Sequence, residues 1–89
     1  MPRVNFTPNL QRHVECLPKR VDASTVREAV MAALEGNERA VGYILDDQGA
    51  LRQHMVIFIN GEQVIDRQRL GDEVPADAEI YVMQALSGG

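Results

Sequence analysis

Apolar residues change their spacing several times along the chain, and each spacing predicts an element. In Arg3-Val4-Asn5-Phe6-Thr7 they alternate with polar neighbours, which predicts a half-buried strand ended by Pro8. The stretch from Leu10 to Arg20 is less regular. Its apolar cluster, Val14 to Leu17, predicts a second strand that returns beside the first and stops at Pro18. From Val26 the period becomes helical, with Val26, Ala29, Val30, Ala33 and Leu34 on one stripe. Thr25 and Glu28 have the spacing of a capping box, in which hydroxyl and carboxylate reciprocally satisfy orphan amides. Gly36-Asn37 supplies the stop, because both residues tolerate the left-handed backbone that ends a helix.

Asp46-Asp47-Gln48-Gly49 reads as a turn, and Met55-Val56-Ile57-Phe58-Ile59 as a continuous apolar run of strand length. Asn60-Gly61 directly after it fits a two-residue type I′ hairpin turn, with Gln63-Val64-Ile65 as the returning strand. Asp66 to Val74 is polar and predicts a loop or a single turn; Pro75-Ala76-Asp77-Ala78 makes another turn. Glu79 to Gln84 forms a last strand with Ile80 and Val82 on one face. Residues 85–89 carry no periodicity. The pattern therefore divides the chain into a domain over residues 1–84 and a flexible C-terminal tail over residues 85–89, with no internal repeat.

The order is strand, strand, helix, then three strands. One helix has one stripe to bury, and a sheet offers one face to bury it. The expected fold is α+β, a mixed sheet of four to five strands packed on one main helix. Because strand side chains alternate, Met55, Ile57 and Ile59 cannot share a face with Val56 and Phe58. One set faces away from the helix, either beneath the long loop or toward a partner.

Length and composition narrow the class. Eighty-nine residues, 45% of them apolar, fit one domain with a modest core. The single cysteine, Cys16, rules out an internal disulfide framework or a four-cysteine metal site and fits a reducing cytoplasm. The first residues hold neither a basic n-region nor an apolar h-region, so no signal peptide is expected. No apolar run approaches the ~20 residues that span a bilayer. A net charge of −4, thirteen acidic groups against nine basic, argues against binding a phosphate backbone. Neither nucleic acid nor membrane is an expected partner.

Candidate chemistry gathers at the last residues, Leu86-Ser87-Gly88-Gly89. At a usage of about 7% for glycine, a final Gly-Gly arises by chance in roughly one chain in 200. A glycine without Cβ can carry its carboxylate through a narrow channel up to a nucleotide phosphate. That carboxyl, with a reference pKa of about 3.3–3.7, is ionised at neutral pH and can act as a nucleophile. Five extended residues from Ala85 reach at most about 17–18 Å, enough to enter a partner's site. The dipeptide by itself fits a frayed terminus equally well. Elsewhere the bland readings prevail. Cys16 in an apolar segment reads as packing, and His13 and His54 as surface or loop-supporting imidazoles. Asp46-Asp47 and Asp72-Glu73 read as solvated turns without calcium-loop spacing, and Lys19, the only lysine, as a solvated strand end. No phosphate-cradling glycine loop and no metal set is present. The residues contain no catalytic constellation.

Taken together, the element order and the final Gly-Gly resemble the MoaD/ThiS family of ubiquitin-like β-grasp sulfur carriers. Three stretches carry the likeness: Val21 to Ala29 as the entry into the single helix, Val56 to Glu62 as the central strand and hairpin, and Asp77 to Met83 followed by Ala85 to Gly89 as the last strand and tail. The segment Leu45 to Arg52 is longer than a minimal molybdopterin-type carrier shows, and is more similar to the carriers that feed sulfur to cysteine biosynthesis. Ala78 departs from the pattern, since many members have Gly before the acidic residue.

The resemblance implies chemistry performed by others, with the chain itself no enzyme and holding no cofactor. A partner adenylyltransferase, similar to ubiquitin-activating enzymes, would use ATP to adenylate Gly89. A sulfur donor such as a desulfurase or a rhodanese-like protein would convert the adenylate to a thiocarboxylate, and a biosynthetic acceptor enzyme would take the sulfur. Leu86, Ser87 and Gly88 would thread the partner's active site. Two alternatives stand beside this reading: a protein modifier conjugated through Gly89, and a β-grasp interaction module without tail chemistry.

Overall fold

Alternation around Val4 and Phe6 produces the strand it predicts. In the computed structural model, which describes residues 1–85, β1 spans Arg3–Phe6 and turns both side chains inward. Pro8 does more than end the strand. Its fixed φ and missing N–H suit the first turn of a helix, and a single turn, α1 (Pro8–Gln11), buries Leu10.

The strand predicted at Val14 to Leu17 does not form. The Leu10 carbonyl accepts from the His13 and Val14 amides at 2.9 and 3.2 Å, which bends the chain away from β1. Val14 and Cys16 are buried and Leu17 is exposed, so the alternation there reports burial without a partner strand. Pairing with β1 begins only after Pro18, in the two-residue antiparallel strand β2 (Lys19–Arg20).

The main helix, α2 (Val26–Ala33), starts at its expected cap: the Thr25 hydroxyl accepts from the Glu28 amide at 3.2 Å. The reciprocal half differs from the capping box. The Glu28 carboxylate accepts from the Ser24 amide at 2.9 Å and the Ser24 hydroxyl at 3.0 Å, because Ser24 offers two donors to one oxygen. Val26, Ala29, Val30 and Leu34 are buried as the stripe requires, with Ala33 half-buried beside them. Gly36 ends the segment at φ 79°. The Asn37 amide joins that stop by donating to the Leu34 carbonyl at 2.9 Å, and its side chain has a second role. Its Oδ1 accepts from the Ala40 amide at 3.2 Å and caps a second helix, α3 (Glu38–Ile44), which the expectation of one main helix does not contain.

Three further strands, β3 (Met55–Ile59), β4 (Glu62–Gln63) and β5 (Glu79–Gln84), complete a five-stranded sheet in the order β2-β1-β5-β3-β4. The central pair β1 and β5 is parallel, and the other pairs are antiparallel. Asn60 (φ 49°) and Gly61 (φ 87°) make the hairpin turn with positive φ at both positions, and Ile59 pairs with Glu62 across it. The return strand is shorter than Gln63-Val64-Ile65. The Val64 amide still reaches the Ile57 carbonyl at 2.9 Å, but the Asp72 carboxylate then captures the Ile65 and Asp66 amides, each at 3.0 Å. The following turn sets Leu70 at φ 54° and buries it fully under the helices' side of the sheet. This is the mixed sheet with helices that a β-grasp requires.

Candidate functional site

Strand alternation decides what the molecule offers to a partner. Met55, Ile57, Ile80 and Val82 point into the core and are fully buried. Their neighbours Val56, Phe58, Tyr81 and Met83 necessarily point the other way. Register brings those four together, since Phe58 lies opposite Tyr81 and Val56 opposite Met83. Directly opposed side chains in an antiparallel pair stand about 4.5–5.5 Å apart at Cβ, so the four form one patch. Among the described residues no loop closes over it: Tyr81 is 43% exposed, and Val56, Phe58 and Met83 are half-buried. The exposure of Tyr81 leaves part of this face open, as the partner-facing reading requires.

The rim of the patch is polar and partly basic. Asn5 on β1 donates to the Glu79 carboxylate at 3.1 Å and to the Ile80 carbonyl at 3.2 Å, which fixes the border toward β1. Beyond it, Arg3 and Arg20 stand opposite each other across the β1–β2 pair, both exposed. At the far end the Met1 ammonium meets Asp77 at 2.8 Å, and this contact holds the Asp77 carboxyl below the ordinary carboxylate range.

The patch runs directly into the end of β5. Met83 is its last member, Gln84 turns inward, and the Ala85 amide extends the ladder by donating to the His54 carbonyl at 2.7 Å. The Tyr43 hydroxyl on α3 donates to Gln84 Oε1 at 2.9 Å. Gly89, Gly88, Ser87 and Leu86, which hold the expected tail chemistry, lie outside the described residues.

Other candidates divide cleanly. Cys16 is buried, its thiol donates to the Val14 carbonyl at 3.4 Å, and burial pushes its pKa up, away from nucleophilic use. Lys19 sits exposed on the sheet edge. Asp46 accepts from the Gln48 and Ala50 amides at 2.8 and 2.9 Å, a turn-building role. Asp72 holds the loop after β4, as described. Among the described residues no His, Cys, Asp and Glu group could hold a metal ion, and no helix is long and apolar enough to cross a membrane. His13 and His54, apart in sequence, both meet the Tyr43 ring. Tyr43 lies on α3, the helix that an expectation of one main helix does not contain. The available signal was Asn37 followed by Ala40 and Ile44 at helical spacing.

No family model and no curated protein sequence matches the chain. Solved structures do. The chain is similar to SAMP1, a small archaeal modifier protein from Haloferax volcanii, at 27% identity, covering 99% of this chain and 98% of that one with a TM-score of 0.73. It matches a chain of the Amycolatopsis orientalis BexX/CysO complex over 100% of both chains, at 20% identity and a TM-score of 0.74. Urm1 from Sulfolobus solfataricus matches at 16% identity over 93% of this chain and 99% of that one, with a TM-score of 0.68. The chain shares the β-grasp fold of these neighbours.

Proposed function

We propose that the chain is a sulfur carrier whose Gly89 carboxylate is activated by a partner enzyme bound on the open sheet face. One observation carries the reading: the uncovered Val56-Phe58-Tyr81-Met83 patch adjoins the end of β5, within five residues of Gly89. A partner seated on that patch has the tail within reach, about 17–18 Å if extended. Tyrosine and phenylalanine at the centre of such a surface suit a partner that buries them, and Arg3 and Arg20 on the rim suit acidic groups opposite. That one neighbour was solved in a complex with a second protein supports a partner-dependent role.

The chemistry follows from the terminal carboxylate. A Gly89 oxygen attacks the α-phosphorus of ATP held by the adenylyltransferase; the P–O bond to pyrophosphate breaks and an acyl-adenylate remains. The terminal persulfide sulfur of a desulfurase or rhodanese-like donor attacks the acyl carbon and expels AMP. A thiol reductant then cleaves the S–S bond of the acyl disulfide, leaving a thiocarboxylate on Gly89 and a disulfide on the oxidised side. An acceptor biosynthetic enzyme consumes that sulfur. Gly88 gives the backbone room in the channel, while Leu86 and Ser87 line it. The chain contributes no catalytic residue of its own, and a cytoplasmic setting belongs to the same proposal.

The likeness to a small archaeal modifier protein supports a second reading, in which a lysine amine attacks the same acyl-adenylate, expels AMP, loses a proton and forms an isopeptide bond. Incubation with the cognate activating enzyme, ATP and sulfide separates the two. Replacement of one oxygen by sulfur at Gly89, read by intact mass, supports the carrier. Adenylation without that replacement, together with conjugates to lysines, supports the modifier. Deleting Gly89 abolishes either chemistry, and full activity after the deletion would leave only an interaction module.

A further inference from the structure

The end of β5 is held in a way the sheet does not require. Positions 80 and 82 of this strand point inward as Ile and Val, yet the next inward position is the polar Gln84. Its amide oxygen takes the Tyr43 hydroxyl at 2.9 Å. Tyr43 is itself gripped by two imidazoles. The His54 ring meets it edge-on at 72° with centroids 5.1 Å apart, and the His13 ring lies nearly parallel to it, at 13° and 5.8 Å. Aromatic pairs at these separations and angles fix each other's orientation. His54 then holds the following residue as well, because its carbonyl accepts the Ala85 amide at 2.7 Å.

Two successive residues at the strand's exit are thus fastened to one cluster, Gln84 by its side chain and Ala85 by its backbone. The cluster is drawn from three separate parts of the chain: the turn after α1, the helix α3, and the residue before β3. His54 Nε2 is buried and has no hydrogen-bond partner among the described residues. An apolar ring at position 54 would pack on Tyr43 without that penalty, so packing alone does not account for a histidine there.

On the carrier reading above, we propose that Tyr43, set between His13 and His54, is a positioning residue that fixes where the tail leaves the domain. Met83 belongs to the docking patch and Gln84 to the clamp, so binding and aiming are divided between adjacent residues. A partner that has captured the patch receives the tail from a fixed root. Misplacing a reacting group by about 1 Å can slow its reaction about 10²-fold without weakening binding, so loss of the clamp acts on turnover.

The test compares wild type, Tyr43→Phe, which keeps the rings and removes the hydroxyl, and Tyr43→Ala, which removes both. Pyrophosphate release by the cognate activating enzyme with ATP is measured against carrier concentration, well below each variant's Tm. The expected result is a kcat about tenfold lower for Tyr43→Phe and lower still for Tyr43→Ala, with KM within about twofold of wild type. A raised KM at unchanged kcat would place Tyr43 in the docking surface and overturn the proposal, as would no change in either. Amide order parameters at Ala85 decide the same point without any enzyme. Wild type is expected near the rigid value of about 0.85, and Tyr43→Ala below about 0.6. Wild type that is rigid at Ala85 but never adenylated defeats the Gly89 reading and leaves the clamp standing. An Ala85 equally ordered in all three proteins defeats the clamp and leaves the Gly89 reading standing.

Discussion

The two faces of the sheet are written by alternate residues of the same strands, yet they do different work. On β3 and β5 the inward set, Met55, Ile57, Ile80 and Val82, is fully buried beneath the helices. The outward set, Val56, Phe58, Tyr81 and Met83, is nearly as apolar and is left partly open to water. Burial of an apolar side chain contributes about 1.5–3 kcal/mol, so the inner set stabilises the fold. The outer set gives up part of that contribution. On the proposed docking role, a partner would remove the same surface from water on binding. Hydrophobicity therefore does not separate stability from function in this protein; side-chain direction does.

Substitution at matched positions tests this division most directly, and the inner face should show the largest effect. Ile57→Ala deletes buried methyl groups at the centre of β3, and its cavity should lower unfolding free energy by about 2–5 kcal/mol in urea titration. Neighbouring Tyr81→Ser on the outer face should lower it by less than about 1 kcal/mol, because the ring is already 43% exposed. On the carrier reading its effect falls on docking: the KM for adenylation by the activating enzyme should rise about tenfold or more, with kcat preserved. If both variants shifted stability alike and left KM untouched, the outer face would be ordinary surface.

Much of this division is legible in the sequence, for a physical reason. A strand with period two must send Val56 and Phe58 opposite to Ile57, so the existence of a second apolar face follows from the residues alone. Asn60-Gly61 set the β3–β4 register, while the β3–β5 register that brings Tyr81 beside Phe58 is a long-range pairing. Three features were less accessible. The Val14-to-Leu17 strand fails because alternation predicts burial and cannot supply a pairing partner. Asn37 fits both a helix stop and a helix start and serves as both, its amide on the Leu34 carbonyl and its side chain on the Ala40 amide. The Tyr43 clamp depends on contacts with His13, 30 residues before it, and Gln84, 41 residues after it, and no local pattern encodes such contacts.

A third substitution loosens the inner face without touching either set. Thr25 caps α2, the helix that covers the core, and Thr25→Ala removes the acceptor for the Glu28 amide. The expected loss is about 1 kcal/mol in urea or thermal unfolding. KM and kcat for adenylation should stay at wild-type values at temperatures where the variant is folded. A rise in KM would mean that the helix side communicates with the open face, and the two faces would not be independent.

The smallest effect expected is on pH, and it sharpens the same contrast. Among the described residues three carboxyls are held below their ordinary range, and none lies on either apolar set. Glu28 is held down by the Ser24 amide and hydroxyl, Asp66 chiefly by the Arg69 amide, and Asp77 by the Met1 ammonium. Each is harder to protonate folded than unfolded. The stabilisation they add is fully present above the unfolded values of about 3.9–4.3 and is lost as pH falls through the depressed folded values. Glu28 and Asp77 are exposed and Asp66 is half-buried, so the Tm should decline modestly below about pH 4 and stay nearly flat from pH 5 to 7. Asp66→Asn should flatten the acid limb in part, since its carboxylate gathers the Arg69 and Gly71 amides at 3.0 and 3.3 Å. The acid response thus belongs to the loops and caps that frame the sheet. Raising the pH from 5 to 7 should leave the stability gap between Ile57→Ala and Tyr81→Ser unchanged, and a gap that moved with pH would place a titrating group against one of the two faces.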